Sequence, residues 1–405
     1  MCQENRMIIS PTPFPRLFLS RRNVLKSVLG CGILFCGRNL FPTELDEIND
    51  VANVSDMINQ SADALASCQN EDGSFGTKSE LFGCDPAVAA LCGMAFLALG
   101  SLPNRGRYGK ELTKIVDYLL SRTFKTRGKT ASAALKTFDL PEQNVIHNYL
   151  RDNDLSHEDV DGVIANFSEK GFQPLYGHGF ATLFLAEIFG VVSRPEIRDT
   201  LQSAVNLLVR TQNSEGGWRY EPKRASIADI SVTTCQLSAL RSVRNAGIAV
   251  PEETIRTAKE FILRLQNQDG GFRYTKIDGP SGYGRTAAAV HALQSIGSEI
   301  SVPIERAFSY LERVYPVTKG DISSKEKIEY WAYSQFYAAL SYWRASINDT
   351  MRERNLLFFQ RVTKEALKQR GADGLWRSSV SSEAETAFII CALSVPQERF
   401  PFFLR

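Results

Sequence analysis

The strongest constraint on the fold is a turn that recurs four times in 405 residues. It reads QNEDGSFG at 69–76, QNSEGGW at 212–218, QNQDGGFRY at 266–274 and, degraded, QRGADGLWR at 369–377. A turn repeated at long intervals marks a modular array whose units bury their apolar faces against one another. The Gln and Asn end a helix, so their amides can reach carbonyls left without partners, and the glycine permits the positive φ of a helix C-cap. Phe75, Trp218, Phe272 and Trp376 are expected to pack back between neighbouring outer helices as staples.

Between the turns two kinds of helix alternate. Half-wet helices with apolar stripes begin with Val54, Met57, Ile58 and Leu65 and recur near 110–122, 197–211, 252–265, 303–314 and 351–369. More apolar helices open near Asp85, His178, Asp229, Tyr283, Glu329 and Glu383, at intervals of 93, 51, 54, 46 and 54 residues. The doubled interval contains a polar stretch, 123–172, read as an insertion with one or two short helices at the rim. Six half-wet and six buried helices predict an all-α fold of six helical hairpins, either an (α/α)6 toroid or an open right-handed superhelix. The expected domain is 46–405.

A net charge of +2, with 47 basic residues dispersed among 45 acids, gives no basic stripe and argues against nucleic acid as a partner. The eight cysteines form no CxxC pair, and Cys68, Cys92, Cys235 and Cys391 fall in apolar helical segments, as buried free thiols do. No later stretch reaches membrane-spanning length, so membrane contact is expected only through the N-terminus. There, Ser20-Arg21-Arg22-Asn23-Val24-Leu25-Lys26 and the apolar run Val28 to Phe35 resemble a twin-arginine export signal. Residues 1–45 are expected to be a leader, with export to the periplasm or cell envelope.

The motifs at 69, 212, 266 and 369 resemble the QW repeats of the prenyltransferase and squalene-cyclase superfamily, and the resemblance covers about Ser55 to Phe403. It implies an (α/α)6 toroid with a central cavity. LYGHGFATLFLAEIFG, ADISVTTCQLSALRS and EYWAYSQFYAAL are similar to an exported bacterial subgroup of such toroids.

The chemistry inherited with this fold is reduced. Class II cyclases use an Asp-x-Asp-Asp acid set at the opening of an inner helix, whereas Ile227-Ala228-Asp229-Ile230 keeps a single acid, also readable as a helix N-cap. The Asp-x-Cys zinc pair of protein prenyltransferases does not occur. In Gly83-Cys84-Asp85-Pro86-Ala87, alanine stands where complement-type thioester domains need Gln. No cofactor or metal is expected.

What remains is a set of polar residues at the openings of the buried helices, expected at one mouth. His178, Asp229, Tyr283 and Arg285 are candidate catalytic groups. Tyr176, Tyr330, Trp331, Tyr333, Glu383 and Glu385 are candidate ligand contacts. Two functions follow. One is an envelope binding or scaffold protein with a central cavity for a lipid, glycan or protein. The other is a divergent enzyme, either acting on an isoprenoid or working as a polysaccharide lyase in which Arg285 neutralises a uronic carboxylate and His178 or Tyr283 moves the proton.

Overall fold

The computed structural model describes residues 45–77, 85–125, 140–166, 174–297, 301–317, 328–347, 349–378 and 380–397. Contacts divide the chain into Met1–Val51 and Ala52–Arg405. The leader expected over 1–45 lies, but for Leu45, outside the described residues, as does Cys84.

Thirteen α-helices and no strand occur among the described residues. They are α1 (Leu45–Ser67), α2 (Pro86–Ala98), α3 (Gly109–Ser121), α4 (Leu140–Asp152), α5 (Pro174–Ile188), α6 (Pro195–Thr211), α7 (Ile230–Asn245), α8 (Glu252–Arg264), α9 (Tyr283–Ser295), α10 (Val302–Val314), α11 (Trp331–Ala345), α12 (Asp349–Gln369) and α13 (Ser382–Ser394). In α2 every residue is buried, and α5, α7, α9, α11 and α13 are buried along most of their length. Their alanines, serines and glycines let backbones approach: a Cβ on Gly93 of α2 would fall 2.5 Å from the Phe184 ring of α5.

These six helices pack in the order α2, α5, α7, α9, α11, α13 and back to α2, so the ring closes and the open superhelix is excluded. They run parallel, because beginnings meet beginnings and ends meet ends. Gly177 of α5 abuts Asp85 at the start of α2, Gly284 of α9 abuts Ser334 of α11, and the Gln294 amide near the end of α9 donates to the Ser341 carbonyl of α11 (3.3 Å). The half-wet helices α3, α6, α8, α10 and α12 each pack on an inner helix from outside. The described part of α1 takes the sixth outer place, tied to the last turn by Arg370 Nε donating to Ser61 Oγ (2.8 Å).

The turns are the joints. Gln212 Nε2 donates to the carbonyls of Gly216 (2.7 Å) and Thr254 (2.9 Å), and Gln266 Nε2 to those of Gly270 (2.9 Å) and Pro303 (2.7 Å). The glutamine thus bridges its own turn to the first turn of the next outer helix, instead of capping the helix it ends as expected. The capping of that helix falls to the aromatic in two of the units. Trp218 Nε1 donates to the Leu208 carbonyl (2.9 Å) and Trp376 Nε1 to that of Ala366 (2.8 Å). All four aromatics are buried, as staples should be.

A threonine on each following inner helix closes the joint: the backbone N–H groups of Trp218, Phe272 and Trp376 donate to Thr233, Thr286 and Thr386 Oγ1 at 2.9–3.1 Å. The turn glycines Gly73, Gly216 and Gly270 have φ of 91–93°, and a Cβ on any of them would lie 2.2–2.3 Å from a carbonyl oxygen of the neighbouring outer helix.

A fifth turn has the same form but is split. Phe124 N–H donates to the Val163 carbonyl and Gly162 N–H to the Phe124 carbonyl, both at 2.8 Å, matching the pair that Asn213 makes with Gly217 and Gly216. Gly162 has φ 89°, with its missing Cβ 2.4 Å from the Ser203 carbonyl oxygen. Thr123-Phe124 therefore stand for Gln-Asn, and Asp161-Gly162-Val163-Ile164 for the Gly-aromatic half. Residues 125–160, including α4, are spliced into the middle of a repeat turn. The polar stretch expected as a rim insertion over 123–172 carries the missing joint at its ends, which explains the doubled interval. Arg210 fastens the splice by donating to the carbonyls of Glu158, Asp159 and Asp161 at 2.9–3.3 Å.

Candidate functional site

The beginnings of the six inner helices form one mouth of the ring. Asp229, completely buried, is the N-cap of α7; its Oδ1 accepts the Val232 N–H (2.9 Å) and its Oδ2 makes no hydrogen bond of normal length and angle among the described residues. Burial pushes its carboxyl up from 3.8 to about 6, against the Val232 N–H, Arg219, Ser231 and Tyr274. Asp85, the N-cap of α2, accepts the Ala87 N–H (2.7 Å) and is likewise raised by burial to about 6. A Cβ on Gly177 would sit 2.6 Å from its Oδ1, so the glycine makes room for the carboxylate. Perturbed acids at the mouth of a ring are a feature of functional sites, although an N-cap alone also explains such residues.

Below the acids the ring is plugged. Tyr176 of α5 and Tyr333 of α11 approach from opposite sides, each acting on the other's hydroxyl, while Tyr333 Oη makes no hydrogen bond of normal length and angle. Phe180 packs edge-on to Phe388 of α13 (centroids 6.0 Å), which meets Tyr333 at 5.9 Å and Phe336 at 5.2 Å. Tyr337 closes the cluster against Tyr333 at 4.9 Å. At this level the expected central cavity is filled by aromatic side chains, because α5, α11 and α13 all send them to the axis.

The structure brings Tyr176, Asp229 and Tyr333 together, with Tyr330 at the edge. Tyr330 is 69% exposed and held in the left-handed region (φ 48°). Arg285 lies nearby, its guanidinium 5.9 Å from the Tyr274 ring centre and donating to the Pro280 carbonyl (3.0 Å). Glu385 is half-buried and its carboxyl is raised by burial, opposed by the Ala332 backbone and Ser378. Glu383 accepts the Ser381 hydroxyl (2.9 Å).

Three residues are placed elsewhere. Tyr283 is buried against Tyr315 (5.7 Å) and faces Arg361 and Glu365 of α12, and Trp331 Nε1 donates to Glu365 (3.3 Å), so both turn to the outer layer. His178 lies inside α5, completely buried, with Nδ1 accepting the Ile164 N–H (3.1 Å). Burial lowers its pKa to about 3, against a hydrogen bond to the Ala204 backbone. It is the counterpart of Thr233, Thr286 and Thr386, closing the split fifth turn.

Sequence reasoning missed Arg219, Tyr220 and Tyr274 beside Asp229. The Tyr220 and Tyr274 hydroxyls hydrogen-bond each other, and Arg219 lies over the Tyr220 ring at 5.8 Å. The signal was present: Arg-Tyr follows the aromatic in both turns, at 219–220 and 273–274. Away from the mouth, a cavity of about 430 Å³ beside the second turn is lined by Glu215, Phe261, Arg264, Leu265, Arg273 and Lys276. Cys92, Cys235 and Cys391 are buried free thiols and Cys68 is a half-buried one.

A closed ring of six parallel inner helices with six outer ones is an α/α toroid. The chain belongs to the prenyltransferase alpha-alpha toroid domain family, whose sequence model matches residues 25–182, 180–329 and 250–396. No curated protein matches the chain. Among solved structures it is similar to an inactive variant of the alpha-1,6-mannanase of Salegentibacter sp. HEL1_6 in complex with alpha-1,6-mannotetrose (TM-score 0.54, 10% identity, 84% of this chain and 98% of that one). It is also similar to a D-mannose isomerase (0.56, 12%, 89% and 100%). A third similar structure is the cellobiose 2-epimerase of Spirochaeta thermophila (0.54, 12%, 90% and 100%). At these identities the likeness is one of fold.

Proposed function

We propose that the protein binds a carbohydrate at the mouth formed by the beginnings of its inner helices. The observation that carries this reading is Asp229 Oδ2, a buried acceptor beside Tyr274 that no hydrogen bond of normal length and angle satisfies among the described residues. Carboxylates accept sugar hydroxyls, and tyrosine rings offer an apolar face with a polar tip. An exposed tyrosine held in a strained backbone conformation at the same mouth, Tyr330, fits such a platform. The aromatic plug favours a ligand seated in the mouth over an isoprenoid threaded through the axis. Two similar toroids are named for action on mannose units and a third for cellobiose, which agrees in ligand class.

A second reading makes the mouth catalytic. A carboxyl raised to about 6 is suited to act as general acid on a glycosidic oxygen. A second acid, Asp85 or Glu385, would activate the water. His178 takes no part in either reading, since its Nδ1 lone pair holds the turn.

Titration calorimetry with manno- and gluco-oligosaccharides tests the proposal. Saturable binding is expected, weakened about tenfold or more in Asp229→Asn and Tyr330→Ala, the loss of a hydrogen bond to a charged group being worth ~1.5–3 kcal/mol. Asn keeps the N-cap, so the fold is retained. Absence of saccharide binding, or variants that bind as the parent does, would overturn it. Product release from the bound oligosaccharide separates the second reading from the first. Export through the twin-arginine-like segment belongs to the same proposal, an envelope toroid that meets glycans outside the cytoplasm.

A further inference from the structure

The second repeat turn, which borders the cavity of about 430 Å³, departs from the other three. In those an aspartate folds back on its own turn: Oδ1 of Asp72, Asp269 and Asp373 accepts the N–H of Ser74, Gly271 and Leu375 at 2.9–3.3 Å. In the second turn Glu215 stands in that place, and Asn213 Oδ1 accepts the Gly217 N–H instead (3.1 Å). The extra methylene carries the Glu215 carboxylate out of the turn, to the Ala228 N–H (3.0 Å) and to Lys276 Nζ (2.5 Å).

The cavity that this opens has two kinds of wall. Phe261 and Leu265, at the end of α8, give it an apolar floor, and both are buried. Arg264, Arg273 and Lys276 face one acid, Glu215, around it. Arg273 is held in place, with Nη1 donating to Asn267 Oδ1 and Nη2 to the Arg264 carbonyl, both at 3.0 Å. Its Nε is buried and makes no hydrogen bond of normal length and angle among the described residues, a costly state for a charged donor. Arg264 commits one Nη2 donor to the Glu215 carbonyl and is otherwise exposed. An excess of positive charge over an apolar floor selects a ligand with an anionic head and an apolar body.

We propose that this cavity binds a small organic carboxylate with an apolar body, of the class of an arylalkanoic acid. The guanidinium groups of Arg264 and Arg273 take the carboxylate, and Phe261 and Leu265 take the body. Planar guanidinium groups pair with carboxylate oxygens through two parallel bonds, and an aromatic floor adds a ring contact. The volume lies in the range that encloses a ligand of this size. The site is separate from the saccharide mouth and shares no residue with it.

The test titrates the full chain with 3-phenylpropionate at constant ionic strength, followed by ligand-observed NMR, with acetate and 3-phenylpropanol as separate arms. Saturable binding of the acid is expected, with acetate, which lacks the body, and the alcohol, which lacks the charge, each weaker by about tenfold or more. Arg264→Met should weaken the acid by about tenfold or more. Glu215→Gln keeps an acceptor for the Ala228 N–H but removes the competing carboxylate, so it should bind the acid more tightly. Both variants should leave oligosaccharide binding at the mouth unchanged. Should Arg264→Met not fold, Lys276→Met is read in its place. No saturable binding to the parent, an alcohol bound as tightly as the acid, or variants that bind the acid as the parent does, overturns the proposal.

Discussion

Replacing Gly216 by alanine isolates what the repeat turn contributes. Two costs arise there. Its φ of 92° is one that a residue with a Cβ adopts at a penalty of about 1–2 kcal/mol. The new Cβ would also stand 2.3 Å from the Thr257 carbonyl oxygen, well inside contact distance. That oxygen belongs to α8, so relief requires moving an outer helix, at a cost of roughly 1–3 kcal/mol by analogy with overpacked cores. Gly247 is the control: its φ is 85°, but nothing lies within 4 Å of its missing Cβ, so only the backbone penalty applies. With roughly 2 °C of Tm per kcal/mol for a domain of this size, Gly216→Ala should melt about 4–10 °C below the parent and Gly247→Ala about 2–4 °C below. Gly162→Ala should behave like Gly216→Ala if the split turn is a true joint. Scanning calorimetry on the three variants decides the matter, and equal shifts for Gly216→Ala and Gly247→Ala would refute the claim that the turns clamp one outer helix to the next.

Two further outcomes are expected. Because Asp229 is raised from 3.8 to about 6 in the folded state, its charged form is penalised by roughly 3 kcal/mol. That penalty is fully present above about pH 6 and gone below about pH 4. Asp229→Asn should therefore be more stable than the parent at pH 8, with the gap closing on acidification in denaturant melts, and a pH-independent difference contradicts the burial argument. At the N-terminus, residues 1–45 fused to a folded reporter should direct its export by the twin-arginine route, and Arg21→Lys with Arg22→Lys should block it. Export that survives the double change removes the assignment.

The architecture was legible because its signals are local. Each turn is a contiguous run, and the apolar periods of α2 to α13 sit between them, so the hairpin count followed from spacing. The fifth turn escaped because its halves are separated by residues 125–160, and no local window contains both Phe124 and Gly162. Ring closure was open to the sequence only as one of two options, since contact between α13 and α2 is a property of accumulated curvature. The mouth was read in part. Asp229, Tyr176 and Tyr333 were found from their place at helix openings, but side-chain direction depends on helix rotation. Tyr283 and Trp331 therefore turned outward to Glu365, and His178 proved to be a structural acceptor. The aromatic plug was invisible because no pattern tells a phenylalanine facing the axis from one facing the outer layer.

The split turn carries a consequence for how this scaffold can change. Two backbone hydrogen bonds between Phe124 and the Gly162–Val163 pair bring the ends of the guest segment side by side, so chain leaves and re-enters the ring through a narrow neck. A loop anchored in that way transmits little strain to its host, and its closure entropy grows only slowly with length. The neck is thus a splice port, at which segments of other lengths can replace 125–160 without moving the joint, provided they again cover the core that Ile146, Leu150 and Val160 pack into.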